Sequence, residues 1–180
     1  MNHDVFVVPL KQFDIAKDRL RRAGTASVTD LARTLAAGVL NACAPRPVIV
    51  VSESEQVTTF AREHGADVFE SGAENLSQAI QSAYEGLADR FERLIIVHGD
   101  LRDPEGLGAF FPAPGITIIT DHHGRGTNIL VVPTGLNFRF AYGANSAERH
   151  RREALRVGVF CHYTTQSPWC YDVDEPEDLE

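Results

Sequence analysis

The sequence predicts an α/β fold in which a mostly parallel central sheet is flanked by helices. Two observations carry that expectation. Short β-branched runs alternate with amphipathic stretches through the first half, the pattern of repeated βαβ units. With 43% hydrophobic and 8% aromatic residues, the 180-residue chain has enough apolar surface for a core. No internal repeat, low-complexity tract or long linker divides it, so residues 1–180 are expected as one domain.

Val5–Val8 is a short apolar run and reads as the first strand. Leu31, Leu35, Val39 and Leu40 recur at helical spacing within Val28–Ala42, a helix closed by Ala44-Pro45-Arg46-Pro47. Val48–Ser52 is the next strand. Ser54 is suited to cap a helix through Val57, Phe60 and Ala61 to His64, where Gly65 supplies a left-handed stop; Asp67–Glu70 is a short third strand. From about Asn75 to Ala88, the residues Leu76, Ala79, Ile80, Ala83 and Leu87 share one helical face, and the strand Leu94–Val97 follows. The second half changes character. Strands Ile116–Thr120 and Asn128–Val132 flank the polar segment 121–127, a helix runs from about Ser146 to Arg156, and Val159–Tyr163 and Trp169–Val173 read as strands.

Seventeen Lys+Arg against 25 Asp+Glu give a formal charge of −8. Phosphate-rich surfaces would be repelled, so neither nucleic acid nor an anionic membrane is an expected partner, and an anionic substrate must be held by local cations. No apolar run approaches the roughly 20 residues that span a bilayer, and the opening Met1–Val8 has no basic n-region, which together predict a cytoplasmic protein. Cys43, Cys161 and Cys170 are odd in number and lack CxxC spacing, so they are expected as ordinary free thiols.

In an open α/β sheet, ligands bind beyond the carboxyl ends of the strands. Asp100 falls at such an end, directly after Leu94–Val97 and His98-Gly99. A carboxylate there is costly unless it holds a cation or a hydrogen-bond network; capping is the alternative, with Asp103 before Pro104 the better cap. Asp172 and Asp174 point to one face if the strand from Trp169 continues, and two like charges side by side call for a cation. With Asp100 they make an oxygen-only set suited to Mg²⁺, although Asp174 before Pro176 also reads as an N-cap.

The densest basic stretch, Lys11 to Arg22, follows the first strand. Its cations are placed either to neutralise phosphates at the sheet edge or to decorate a solvated helix face. No GxxxxGK[ST] or GxGxxG occurs, which disfavours P-loop kinases and dinucleotide dehydrogenases. Gly124-Arg125-Gly126-Thr127-Asn128 and Gly143-Ala144-Asn145-Ser146 offer backbone amides, hydroxyls and a helix N-terminus to an anion; a plain turn and a Ser146 cap are the alternatives. The histidines His98, His122, His123, His150 and His162 show no HxH or HExxH spacing and are read as structural or solvated.

Five segments stand along the chain in a specific order. They are Pro9, Lys11, Ala16, Lys17, Arg19 and Leu20; Asp100-Leu101; a DxHGxGTN run at Asp121, His123, Gly124, Gly126, Thr127 and Asn128; Phe138, Arg139, Phe140, Gly143, Ser146 and His150; and Asp172-x-Asp174-x-Pro176-x-Asp178-Leu179. This ordered set, covering nearly the whole chain, resembles the guanylyltransferases of coenzyme F420 biosynthesis, the 2-phospho-L-lactate or phosphoenolpyruvate guanylyltransferase family. Their nucleotidyltransferase fold is shared with the molybdenum-cofactor guanylyltransferases.

The resemblance implies a Rossmann-like nucleotide-diphospho-sugar transferase fold of the GT-A type. It implies transfer of GMP from GTP to 2-phospho-L-lactate, phosphoenolpyruvate or 3-phosphoglycerate, with release of pyrophosphate. By similarity Asp100, Asp172 and Asp174 would hold Mg²⁺, and Lys11 and Lys17 would steady the GTP phosphates beside Asp100. Thr127, Gly143 and Ser146 would bind the carboxylate and phosphate of the acceptor, with Arg19 and Asn128 counted among the substrate-binding residues. Nucleotidyl transfer needs charge neutralisation and in-line positioning more than a protein nucleophile, which suits a chain with no evident Ser/His/Asp or Cys/His set. GTP and a small phospho-acid are thus the expected partners, and a homodimer is compatible with a chain of this size. A nucleotide-sugar glycosyltransferase also uses a DxD pair but gives no reason for the two glycine-containing loops. A nucleotide-binding relative without turnover is the other alternative.

The chain departs from the family pattern at named places. The usual Pro-Ala-Asp-Leu-Pro is His98-Gly99-Asp100-Leu101-Arg102, and the usual Arg and Thr of the signature are His122 and Arg125. Asn75-Leu76-Ser77 stands where Gly-Leu-Asn is common. Arg102 and Arg125 suggest a more anionic acceptor.

Overall fold

The computed structural model describes residues 4–179; Met1–His3, part of the segment read for a leader, and Glu180 lie outside the described residues. The elements in chain order are β1 (Asp4–Pro9), α1 (Asp18–Arg22), α2 (Val28–Cys43), β2 (Val48–Val51), α3 (Glu55–Glu63), β3 (Asp67–Phe69), α4 (Leu76–Leu87), β4 (Arg93–Val97), β5 (Ile116–Thr120), β6 (Thr127–Pro133), α5 (Ser146–Arg156) and β7 (Cys161–Thr164). The strands form a seven-stranded sheet in the order β3-β2-β1-β4-β6-β5-β7. β3, β2, β1 and β4 run parallel, and β5 and β7 are parallel neighbours. β6 alone is antiparallel to its neighbours β4 and β5, because the 121–126 loop is too short for a crossover and allows only a hairpin. The mostly parallel α/β sheet expected from the sequence is therefore present.

Alternation along the strands builds a core on each face. Phe6, Val8, Val50, Ile95 and Val97 pack with Ala36, Val39 and Leu40 of α2 and with Val57, Phe60 and Ala61 of α3. Val5, Val7, Ile49, Leu94 and Ile96 point the other way, onto Ile80, Ala83 and Leu87 of α4 and Ala147 and Ala154 of α5. β1 and β4 are buried on both faces, which is why they read as continuous apolar runs. At their amino ends Asp4, only 1% exposed, accepts from Arg93 Nε and Nη2 at 2.8 Å each and from Arg46 at 3.1 Å. That ion cluster ties the bottoms of the strands together and leaves their carboxyl ends free to carry chemistry.

The structure corrects several local expectations. Trp169–Val173 is not a strand: Pro168–Cys170 is a 3-10 turn, and only the single antiparallel bridge Leu101↔Asp172 follows. Ser54 stands at the N-cap of α3, but its side chain makes no capping bond. Neither acidic cap forms. Asp103 opens no helix, and the Asp174 and Glu175 amides instead donate to Asp178 Oδ2, both at 2.8 Å. Gly65, at φ +73°, does end α3, and Asn75 caps α4 by accepting from the Gln78 amide at 3.0 Å. Among the described residues no helix is long and apolar enough to cross a membrane.

Candidate active site

The carboxyl ends of β2, β1 and β4 open onto a cavity of about 670 Å³, a size that suits a nucleotide. Its walls include Lys11, Gln12 and Lys17 from the loop after β1, Ser52 and Glu53 after β2, Ser71 and Ala73 to Leu76 before and in α4, and His98, Gly99 and Asp100 after β4. Gly99 lets the Leu10 side chain pack close against the backbone there, since a Cβ would sit 2.3 Å from Leu10 Cδ2 and displace it. Glu53 organises the far wall: its Oε1 accepts from the Ser71 amide at 2.6 Å, the Ser71 hydroxyl at 2.7 Å and the Gly72 amide at 3.0 Å.

Asp100, Asp172 and Asp174 converge, each offering an oxygen within 4.8 Å of the others. The convergence has a local cause. Besides the Leu101↔Asp172 bridge, the Val173 amide donates to Asp100 O at 3.0 Å and the Arg102 amide to Tyr171 O at 2.8 Å. This short ladder lays the C-terminal segment against the end of β4. Lys17 completes the cluster, donating to Asp100 Oδ2 and, at 2.9 Å, to Asp174 Oδ1, with its side chain only 7% exposed. Its backbone lies in the left-handed region at φ 60°, a conformation disfavoured for a residue with a Cβ, so the loop holds this ammonium at a conformational cost.

The electrostatics are those of an anionic nest that wants positive charge. Burial, followed by the charges of Asp100 and Asp174, pushes the Asp172 carboxyl up to about 6. Burial also opposes the ionised form of Asp174, but the Lys17 charge and hydrogen bond outweigh it and hold that carboxyl low. Lys17 is raised on balance, because Asp100 and Asp174 together overcome the desolvation of its ammonium. Asp100 Oδ1 is buried without a hydrogen-bond partner. An oxygen-only set with one orphaned oxygen and a crowded carboxylate fits a hard divalent cation such as Mg²⁺.

A second group of residues lies around β6 and the start of α5. The Asp121 carboxylate clamps the loop before β6, accepting from the Arg125 amide at 2.8 Å and the Gly126 amide at 2.7 Å. A Cβ at Gly126 would come 2.6 Å from Asp121 Oδ2, so a side chain there would have to push the clamping carboxylate aside. Gly143 lies at φ +107° just before α5. Ser146 is not the cap of α5, a position held by Asn145; the Ser146 hydroxyl instead lies 3.0 Å from Thr127 Oγ1, which in turn lies 3.1 Å from His150 Nδ1.

Of the residues singled out in the sequence, Asp100, Asp172, Asp174 and Lys17 thus come together, and Lys11 lines the same cavity with an exposed side chain. Thr127, Gly143 and Ser146 form the second group. Asn128 joins the two: it is buried, and its amide donates to Asp172 Oδ1 at 3.3 Å and Trp169 O at 3.1 Å. Arg19 is instead 69% exposed and pairs with Glu175 at 2.9 Å on the surface. Arg22 pairs with Asp18, and Arg21 staples the loop through Phe13 O and Ala16 O, so the basic stretch divides between cavity, surface and scaffold. Arg102 and Arg125 are both exposed. The roles of Glu53 and Asp121 as loop clamps were not read from the sequence; the Asp-x-x-x-Arg-Gly spacing was the available signal for Asp121. For His150 the signal was its place four residues after Ser146, on the same face of α5.

Residues 5–180 match the model of the family described as Guanylyl transferase CofC like. The phosphoenolpyruvate guanylyltransferase of Roseiflexus castenholzii is 30% identical, over 96% of this chain and 84% of its own. The 3-phospho-D-glycerate guanylyltransferase of Colwellia psychrerythraea is 26% identical, over 97% and 88%. A solved chain from Desulfovibrio desulfuricans G20, described as a nucleotide-diphospho-sugar transferase, superposes with a TM-score of 0.72 at 13% identity, covering 99% of this chain and 85% of that one. That likeness shows the fold, which is the one the sequence resemblance implied. With the match running from β1 through the Asp172–Asp174 segment, the chain belongs to the Guanylyl transferase CofC like family.

Proposed function

We propose that this protein transfers a guanylyl group from GTP to the phosphate of a three-carbon phospho-acid, a step of the coenzyme F420 type. The observation that carries the reading is the cluster of Asp100, Asp172, Asp174 and Lys17 at the mouth of a nucleotide-sized cavity, in a chain of this family. An oxygen of the acceptor phosphate attacks the α-phosphorus of GTP. A new P–O bond forms, the bond from the α-phosphorus to the α,β-bridging oxygen breaks, and pyrophosphate leaves with the electron pair.

The residues supply charge and position for this displacement. Asp100, Asp172 and Asp174 would hold Mg²⁺, which supplies neutralisation of phosphate charge when bound. Lys17 stays protonated at neutral pH and can move from its carboxylates to phosphate oxygens, and Lys11 reaches the same cavity from the solvent side. Asn128 holds Asp172 in place. Gly143 and Ser146, beside Thr127, receive the acceptor.

The test is pyrophosphate release by purified protein with Mg²⁺, pairing GTP or ATP with phosphoenolpyruvate, 2-phospho-L-lactate, 3-phosphoglycerate or no acceptor. Release that requires GTP and one acid establishes the reaction and names the acceptor. Nucleotide binding without release from any pair overturns it.

A further inference from the structure

The second group of site residues contains a directed hydrogen-bond chain. The Ala141 amide donates to His150 Nε2 at 3.0 Å. A ring nitrogen that accepts from an amide carries no proton, so the neutral imidazole bears its hydrogen on Nδ1. Nδ1 therefore donates to Thr127 Oγ1 at 3.1 Å. The Thr127 and Ser146 hydroxyls lie 3.0 Å apart and either can donate to the other; because Thr127 Oγ1 already receives from His150, which polarises its O–H, Thr127 is the favoured donor to Ser146. With its oxygen receiving from Thr127, Ser146 keeps a proton of its own, and among the described residues no further hydrogen bond takes it up. Yet His150 is fully buried, and Thr127 and Ser146 are each only 2% exposed. A buried hydroxyl with an uncommitted proton is costly unless a ligand takes it.

We propose that His150 is a positioning residue: acting through Thr127, it fixes Ser146 as a hydrogen-bond donor to an anionic oxygen of the acceptor. The inference rests on the guanylyltransferase reading for the identity of that acceptor, a phospho-acid. It assigns Thr127 a different part from Ser146. The Thr127 hydroxyl passes the bond on, with both its proton and the lone pair facing His150 committed, and only Ser146 touches the ligand through its side chain. The surroundings keep the ring in one state. Phe138, Phe140 and Tyr142 stand around His150 with centroids at 6.1, 6.5 and 4.8 Å, an environment hostile to an imidazolium.

The decisive experiment is a double-mutant cycle on steady-state guanylyl transfer, with phosphoenolpyruvate or whichever acid the panel names. Ser146→Ala and His150→Gln should each raise the KM for the acceptor by roughly 10-fold or more, the value of one hydrogen bond to a charged oxygen, while the KM for GTP holds within about threefold. Combined, they should cost no more than Ser146→Ala alone. His150→Asn, whose amide nitrogen overlays Nδ1, should recover most of the loss. Losses that multiply in the double variant, or a KM for GTP that rises equally, overturn the proposal in favour of a purely structural histidine. A second readout needs no turnover: ¹⁵N NMR of histidine-labelled wild-type protein should show His150 as the Nδ1–H tautomer, and an Nε2–H tautomer overturns the relay. If the wild type transfers to no acceptor, the guanylyltransferase reading fails by itself. The relay is then judged by the tautomer and by calorimetric titration with phosphoenolpyruvate, which His150→Gln must weaken as much as Ser146→Ala does.

Discussion

The Lys17 ammonium lies 2.9 Å from Asp174 Oδ1 and joins residues 157 apart in the chain. It does so from a left-handed backbone and an almost buried side chain, while also donating to Asp100. The same ammonium therefore fastens the C-terminal segment over the site and occupies carboxylate oxygens that the proposed divalent cation would need. Replacing it separates these functions. Lys17→Met should lower guanylyl transfer by roughly 10²–10³-fold, the usual loss for one charge-stabilising donor. In chelator it should destabilise by about 2 kcal/mol, below the range for a fully buried pair because Asp174 is half exposed. Added Mg²⁺ should raise the melting temperature of this variant more than that of wild type. Equal increments would show that ammonium and cation do not compete for the same oxygens.

Asp172 supplies the complementary prediction. It sits beside two other carboxylates, and among the described residues its carboxylate has no ammonium partner and takes its side-chain hydrogen bond from Asn128. Like charges within 5 Å repel by a few kcal/mol at most in a partly wet site. Asp172→Asn should therefore stabilise the metal-free protein by about 1–2 kcal/mol while abolishing transfer, a stability gained at the expense of activity. Chemical denaturation in chelator checks the first half and pyrophosphate release the second. A destabilised variant would mean that Asp172 is held mainly by hydrogen bonds.

Much of this was legible in the chain itself, for identifiable reasons. β1 and β4 are buried on both faces, so Val5–Val8 and Leu94–Val97 stood out as apolar runs and placed Asp100 at a strand end. The Asp172–Asp174 pair was recognisable as a cation-seeking feature, but its supporting structure was not. A strand was expected where a 3-10 turn and one bridge do the work, because Trp169–Val173 has strand composition and its pairing with Leu101 depends on tertiary contact. Arg19 and Arg21 looked alike in a basic stretch, and only the fold sends one to Glu175 and the other to the backbone of the β1 loop. Long-range side-chain partners have no period in sequence. For that reason Glu53 on Ser71 leaves no mark in the sequence, whereas Asp121 clamps its own loop at short range through the Asp-x-x-x-Arg-Gly spacing.

The Asp121 clamp leads to a prediction about a glycine. Because the Asp121 carboxylate takes the Arg125 and Gly126 amides and crowds the Gly126 Cα, Gly126→Ala forces the carboxylate away. The loop ahead of Thr127 would then lose two charge-assisted bonds, each worth about 1.5–3 kcal/mol when fully protected and less at this partly exposed loop. We expect Gly126→Ala to cut kcat/KM for the acceptor at least tenfold while lowering stability by only about 1–2 kcal/mol, since the strands themselves are untouched. Steady-state kinetics with thermal unfolding on the same samples decides it. An effect on GTP as large as that on the acceptor would place this loop at the nucleotide instead.

His150 sets how stability should respond to acid. Burial, reinforced by the nearby charges of Arg149 and His98 and only partly offset by Glu153, holds the ring neutral down to a pKa of about 3. In the unfolded chain the same ring titrates near the ordinary value of 6.5. The folded value lies below the unfolded one, so above about pH 6.5 neither state binds the proton and nothing is lost. Between about 6.5 and 3 the unfolded state takes a proton that the folded state refuses, and stability falls by up to about 1.4 kcal/mol per pH unit from this residue alone. Between pH 7.5 and 5.0 the wild type should therefore lose about 2 kcal/mol that His150→Asn, with no titrating ring, does not. Denaturant unfolding at the two pH values measures the difference directly. Parallel losses in the two proteins would mean that acid reaches His150 in the folded state, and would remove the fixed neutral ring on which the direction of the Thr127–Ser146 chain depends.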